Sequence, residues 1–319
     1  MEQKIKAYKA FDKDLSCRGF KYEVGKEYEE TGDIKACEKG FHACPYPLDV
    51  FGYYAPAGSR FCEVEQSGKI DDSESDKVCS SKIRIGAELD IRGLVKAAVS
   101  YVKERCTNEC NAEPGKPATA GDSGAATAGN SGAATAGNYG AATAGNYGAA
   151  TAGNYGAATA GNYGAATAGY RGAATAGNSG AATAGYRGAA TAGDSGAATA
   201  GYRGAATAGN SGAATAGNYG AATAGNYGAA TAGNYGAATA GNYGAATARG
   251  KASTGSNGLS VARGKNVQVK GGIGAILVIA EERGDTYDIV DWKAVLVDGE
   301  VVKADTWYRL ENGELVEVD

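Results

Sequence analysis

His42 is the only histidine in the chain and sits in C-E-K-G-F-H-A-C, between Cys37 and Cys44. Two thiolates and an imidazole could hold a zinc ion if another cysteine completed the set, but this spacing fits no standard zinc pattern. Seven cysteines, Cys17, Cys37, Cys44, Cys62, Cys79, Cys106 and Cys110, all fall within the first 110 residues. An odd number without paired spacing reads as reduced, mostly buried thiols, so Cys37 and Cys44 are more simply core or turn residues. Glu63 and Glu65 alternate on a strand-like segment and therefore share a face. Carboxylates so placed are catalytic candidates; they are also what the wet face of an antiparallel sheet carries. With one histidine, a histidine-based triad could use only His42. The chain has no nucleotide-binding glycine loop, no nucleophile elbow and no H-E-x-x-H, and none of its patterns calls for a cofactor.

The other concentrated chemistry is cationic. Arg171, Arg187 and Arg203 recur every sixteen residues, each behind a tyrosine, Tyr170, Tyr186 or Tyr202. Stacked on one flank they would repel modestly, and an anionic or saccharide ligand or a tyrosine face would relieve them; the plain alternative is a solvated flank.

These arginines belong to an eight-residue unit, G-x-x-G-A-A-T-A, repeated sixteen times from Gly121 to Ala248. Only the second and third positions vary, as Asn-Tyr, Asn-Ser, Asp-Ser or Tyr-Arg. Two glycines per octad cost a helix roughly 2 kcal/mol relative to alanine, and the stretch lacks the proline and the three-residue glycine period of collagen. What remains is a short extended run followed by a G-x-x corner that uses glycine's freedom at positive φ. The Tyr-Arg octads are the seventh, ninth and eleventh, and the eighth, tenth and twelfth carry Asn-Ser or Asp-Ser. A period of sixteen therefore overlies the period of eight, as expected if two octads close one coil. The sixteen octads then predict eight coils of a β-solenoid, a rod of roughly 40 Å at ~4.8 Å per coil. A disordered linker has no reason to alternate in this way.

Read as A-G-Y-R-G-A-A-T-A, the Tyr-Arg octads resemble the A-G-Y-G-S-T-x-T-A units of bacterial ice-nucleation proteins, over 128 of 319 residues. The resemblance implies two octads per coil and outward threonines. Here T-x-T has become A-x-T, which halves the threonine array. Outward threonines are also favoured because Thr is more easily left wet than buried. Against this, continuing the octad frame puts Leu259, Val261, Val267 and Val269 on the phase of Thr127. Either the frame slips by one at the cap or the threonines are interior. If outward, Thr127, Thr143, Thr159, Thr175, Thr191, Thr207, Thr223 and Thr239 form one row, and Thr135, Thr151, Thr167 and their successors the other. Such flat faces suit ice, another regular solid or another copy of themselves. Tyr139, Tyr155, Tyr219 and Tyr235 are expected along one flank, and Tyr147, Tyr163, Tyr227 and Tyr243 along the other.

Residues 1–110 read as a compact α+β domain. Strands are predicted over Lys4–Phe11, Gly19–Val24, Ile34–Cys37, Arg60–Gln66 and Lys82–Leu89. Pro47–Tyr54 suits a short helix with proline in its first turn, and Asp90 caps a helix over Ile91–Cys106 whose stripe is Ile91, Leu94, Val95, Ala98 and Val102. That helix is expected to pack on the sheet and lead to the open end of the solenoid through a linker over 111–120. The motifs Y-K-A-F-D, F-K-Y-E-V-G-K-E-Y, G-F-H-A-C-P-Y-P-L-D-V-F-G-Y-Y and V-E-Q-S-G resemble an uncharacterised domain family of bacteriophage and prophage proteins, often placed before Gly/Ala-rich repeats. The resemblance implies a phage context and supplies no chemistry. Separately, the E-x-E of Glu63 and Glu65 is similar to a pattern used by ADP-ribosyltransferases.

Residues 249–319 are predicted to cap the solenoid end. Strands over Ala275–Ala280, Tyr287–Val297 and Trp307–Val318 form a meander with turns at Asp298-Gly299 and Asn312-Gly313, anchored by Trp292 and Trp307. The net charge is −4, with +1 on the repeat and −5 on the flanks, which predicts no attraction to nucleic acid or anionic membrane. The first six residues lack the apolar core of a secretory signal and no run approaches a membrane span, so the setting expected is cytoplasmic or virion-associated. The chain reads as a non-enzymatic, mainly β repeat protein, a rigid spacer or interaction surface that meets a protein partner or itself. An ice-binding face and an enzymatic first domain are the alternatives.

Overall fold

A computed structural model describes residues 3–74, 76–105, 108–112, 116–283 and 286–318, with 108–110 and 112 described by their backbone alone. Cys106 and Thr107, at the end of the expected helix and the start of the expected connector, lie outside the described residues, as do 113–115.

The chain is mainly β, and a β-solenoid of about 10 turns occupies residues 118–281. Each A-A-T-A is a strand, and through Ala232 each pairs in parallel with the strand sixteen residues on, Ala141 with Ala157 and Thr143 with Thr159. One coil is thus two octads. The second and fourth residues of each strand are inside and the threonine faces out, so the core of the repeat is alanine alone. A pleat turns alternate side chains to opposite faces; with only methyl groups between them, the two walls can lie close together.

The corner corrects one expectation. In Gly145-Asn146-Tyr147-Gly148, the last N–H donates to the first carbonyl at 3.2 Å. The left-handed residue is Tyr147, at φ 58°, as is the third residue of every octad whether Ser, Tyr or Arg. None of the octad glycines has positive φ. They supply room instead: a Cβ on Gly145 would lie 2.5 Å from Asn130 Oδ1, and one on Gly148 2.8 Å from the Gly132 carbonyl oxygen.

Coiling starts before the repeat. Asn108–Ala112 pairs in parallel with Gly124–Ala128, and Ala118–Ala120 with the strand at Ala133–Ala136, so strands stand where a linker was expected. At the other end the frame does slip. Leu259 and Val261 stay outward, level with Ala245 and Thr247. The next strand pairs Gln268 with Lys251 and Val269 with Ala252, seventeen residues on. That odd step turns Val267 and Val269 inward, which reconciles outward threonines with the apolar residues that follow.

Beyond this, Ile276–Glu282 continues the coil and pairs antiparallel with Ile289–Leu296. The hairpin Trp307–Glu311 and Glu314–Val318 turns at Asn312-Gly313, both at positive φ as a two-residue I′ turn requires. The tryptophans are not the anchors. Trp292 is 66% exposed, and Trp307 is half-buried with the ammonium groups of Lys251 and Lys270 5.4 and 5.2 Å from its ring. Leu277, Ile279, Val297, Tyr308 and Leu310 extend the alanine core instead.

In the first domain Ile5–Phe11, Arg60–Asp71 and Val78–Leu89 form an antiparallel sheet, to which Glu27–Glu29 and Phe41–Ala43 add through the last strand. Ile34–Cys37 is a turn rather than a strand, closed by the pair Lys35 and Lys39. Phe20–Lys21 makes only a short ladder with Ser16–Cys17. Pro47–Gly52 is a 3-10 helix with proline in its first turn. The α-helix Ile91–Arg105 is capped by Asp90, whose Oδ1 accepts the Gly93 N–H at 2.7 Å.

Candidate functional site

The α-helix buries Leu94, Val95, Ala98 and Val102, and the group they join spans both bodies. It contains Tyr8, Ala10 and Phe61 of the sheet, Leu48, Val50 and Phe51 of the 3-10 helix, and Ala141, Ala157, Ala173, Ala189 and Ala205 of the solenoid. The helix therefore lies between the sheet and the side of the solenoid, and the chain beyond it enters the first coil at Asn108, at the open end. Fifteen residues span about 22 Å and five strands ~4.8 Å apart span about 19 Å. Helix length and wall are matched, and leucine and valine meet small alanines whose strands keep the wall flat.

Polar groups fix this docking. Arg171 Nη1 donates to Asp49 Oδ1 at 2.7 Å and to the Tyr155 hydroxyl at 3.1 Å. Its other terminal nitrogen is 3.8 Å from Asp76, and the Tyr46 hydroxyl donates to the Arg171 carbonyl at 2.8 Å. Burial pushes the Asp49 carboxyl up to about 7; Arg171 opposes that and Asp76 adds to it. Arg203 reaches the Gly52 carbonyl at 3.5 Å. At Gly52 even a methyl group would come within 3.3–3.4 Å of Arg171 and Arg187, so the bare backbone lets the arginines approach. The arginine row that the sequence offered as an anion or saccharide site is thus turned toward the protein's own carboxylates and carbonyl groups.

The two flanks differ. On the flank of the arginines the rings run on as a seven-rung ladder, Tyr139, Tyr155, Tyr170, Tyr186, Tyr202, Tyr219 and Tyr235, with centroids 5.0–5.8 Å apart. In the Tyr-Arg octads the ring moves from the third position to the second, leaving the third to the guanidinium. The opposite flank has two ring pairs, Tyr147 with Tyr163 and Tyr227 with Tyr243. Serines separate them, and an amide ladder runs through: each Oδ1 from Asn130 to Asn242, with Asp194 as one rung, accepts the backbone N–H of the second position in the next coil. Sequence reading passed over this ladder, although Asn or Asp at one fixed position was its signal.

The two threonine rows have different fates. Thr143, Thr159, Thr175 and Thr191 are half-buried and Thr207 is buried, while Thr127, Thr223 and Thr239 are exposed. The middle of that row lies on the wall the first domain covers, so it is not a free face. Thr135, Thr151, Thr167, Thr183, Thr199, Thr215, Thr231 and Thr247 are all exposed on the opposite wall. This free wall runs on into Leu259, Ile276, Leu296 and Trp292, 40–66% exposed.

The candidate catalytic residues fall in two places. Glu63 and Glu65 line a shallow groove with Lys6 and Arg84, and they pair with Lys6 and Lys4 at 2.8 and 2.7 Å across the sheet. His42 lines a separate cavity of about 450 Å³. Its Nε2 accepts the Cys37 N–H at 2.9 Å, and burial, then Lys9, hold its pKa below the ordinary value. Cys37 is exposed, at φ 69°, and Cys44 is buried. Among the described residues no group of three or more His, Cys, Asp or Glu side chains is placed to hold a metal ion, so Cys37, His42 and Cys44 do not form one. Sequence reading missed Asp49 and Lys9. Asp49 had a signal, a lone acid in the apolar run Pro45 to Phe51; Lys9 on its strand had none.

Residues 5–97, under a third of the chain, match the model of a family described as a domain of unknown function, DUF7666. No curated protein and no solved structure is matched by the chain. No described helix is long and apolar enough to cross a membrane.

Proposed function

We propose that this chain is a non-enzymatic structural and interaction module, a rigid solenoid that carries its first domain on one wall and docks a second copy of itself through the other. One observation carries the reading: the first domain covers only one of two otherwise equivalent walls, and the bare one continues into exposed Leu259, Ile276, Trp292 and Leu296. A row of side chains every ~4.8 Å is matched in spacing by another such wall. Eight strands about 13 Å wide give roughly 500 Å² of wall. That is short of the ~800 Å² per partner of a stable interface, and the apolar end supplies the remainder. A virion is the setting implied by the phage resemblance of the first domain.

Sedimentation of the wild-type chain over a hundredfold concentration range tests this. Reversible association is expected, weakened at least tenfold by Thr183→Lys with Thr199→Lys. A wild-type chain that stays monomeric, or association that the lysines leave intact, overturns the reading.

The flat Ala/Thr array on the free wall also favours a second reading, an ice-binding face. Its test belongs on that wall: wild-type thermal hysteresis that disappears in Thr183→Tyr with Thr199→Tyr supports it. No ice shaping by the wild type ends it.

A further inference from the structure

The cavity beside His42 contains a group that the docking of the two bodies does not use. Lys9 is 7% exposed. Its ammonium group donates to the His42 carbonyl at 2.9 Å and lies 5.5 and 5.8 Å from the ring centres of Phe11 and Tyr22. No carboxylate is among its main ionisable neighbours, which are the thiols of Cys17 and Cys44 and the guanidinium of Arg18. A buried ammonium group without a counter-charge is costly, and burial lowers its pKa.

The rest of the lining points the same way. Arg18 and Lys77 add two more cations. The three acids of the lining are engaged elsewhere: Glu29 with Lys82 at 3.5 Å, Glu30 with Lys39 at 3.4 Å and Glu38 with Lys35 at 2.5 Å, none of which lines the cavity. Phe20, Tyr22 and Tyr28 meet edge to face and give one side of the cavity an aromatic surface. A volume of about 450 Å³ is within the range of small-molecule sites.

We infer that the first domain binds a small organic acid in this cavity, a planar apolar body against the Phe20, Tyr22 and Tyr28 rings with its carboxylate on Lys9. The anion supplies the missing counter-charge, and the rings exclude water from the pair, which strengthens it. The inference is independent of what the solenoid docks.

The test uses 2-naphthoate and its neutral isostere 2-naphthamide on the full chain, by calorimetry. The carboxylate is expected to bind one to one and at least tenfold more tightly than the amide. In Lys9→Met that preference should vanish, with amide affinity within threefold of wild type. No saturable binding of either probe, equal affinities, or a preference that survives Lys9→Met overturns the inference. Should Lys9→Met not fold, the wild-type chain decides alone. Its lysines are labelled with pyridoxal phosphate, whose aldehyde carbon is attacked by the amine with loss of water, and the imine is reduced by borohydride. Protection of Lys9 by 2-naphthoate and not by 2-naphthamide supports the site; equal labelling with either, or no labelling at Lys9, removes it.

Discussion

Arg171 and Asp49 stand 122 residues apart in sequence and 2.7 Å apart in space, with 8% and 6% of their side-chain surfaces exposed. This pair explains why arginine enters the repeat where it does: Arg171, Arg187 and Arg203 lie on three successive coils on the flank that the 3-10 helix Pro47–Gly52 approaches.

Removing one partner of a buried ion pair strands the other, at a cost of about 3–5 kcal/mol. Arg171→Ala is therefore expected to loosen the first domain by that order at pH 8. Asp49→Leu with Arg171→Met should restore most of the loss. Hydrogen exchange of Ile91–Arg105 reads both; a single variant as protected as wild type would contradict the docking role.

The same pair gives a pH dependence with a definite sign. Asp49 is raised by burial from 3.8 to about 7, so between those values the docked domain holds a proton that the free one has lost. Docking stability then falls as pH rises through that window and levels off above it. Asp49→Asn should remove this component of the slope of protection against pH from 4 to 8, and equal slopes for variant and wild type would refute the assignment.

The third residue of each corner is left-handed without being glycine, which costs roughly 1 kcal/mol at each. Ser195, at φ 55°, has no ring stack to lose, so Ser195→Gly should stabilise the chain by about 0.5–1 kcal/mol in urea unfolding. Tyr163→Gly relieves the same strain but gives up the 5.0 Å stack on Tyr147 and should show no gain. A larger gain at 163 than at 195 would argue against the stack.

Gly148 packs against the preceding coil, and a methyl group there would sit 2.8 Å from the Gly132 carbonyl oxygen. Gly148→Ala is expected to cost about 1–3 kcal/mol, while Thr151→Ala on the free wall stays within about 0.5 kcal/mol. Equal effects would mean that the coils do not stack as closely as described.

What could be read from the sequence followed from local periodicity. The alternation of Tyr170-Arg171 with Asn178-Ser179 disclosed the sixteen-residue coil, and the spacing of Leu94, Val95, Ala98 and Val102 disclosed the buried face of the helix. What that face meets was not legible, because the alanines on the other side, Ala141 to Ala205, look like every other alanine in the repeat. The left-handed corner went to glycine by propensity, although stacking and the turn's hydrogen bond hold Tyr147 there instead. Size alone points to Trp292 as a core anchor, while Leu277 and Ile279 fill the space between the last walls.

The helix engages the strands from Ala141 to Thr207, and beyond them the first domain meets the solenoid again at Lys251, where burial and the neighbouring Lys13 bring the ammonium group down to about 8. Residues 225–232 and 233–240 are identical octads. Excising both rejoins the chain at the same phase and shortens the rod by one ~4.8 Å step, leaving the strands under the helix in place while Lys251 moves one step relative to Lys13. Unequal recombination within such a stretch can reset how far the two ends are held apart while the contacts of the helix with its own strands are inherited unchanged.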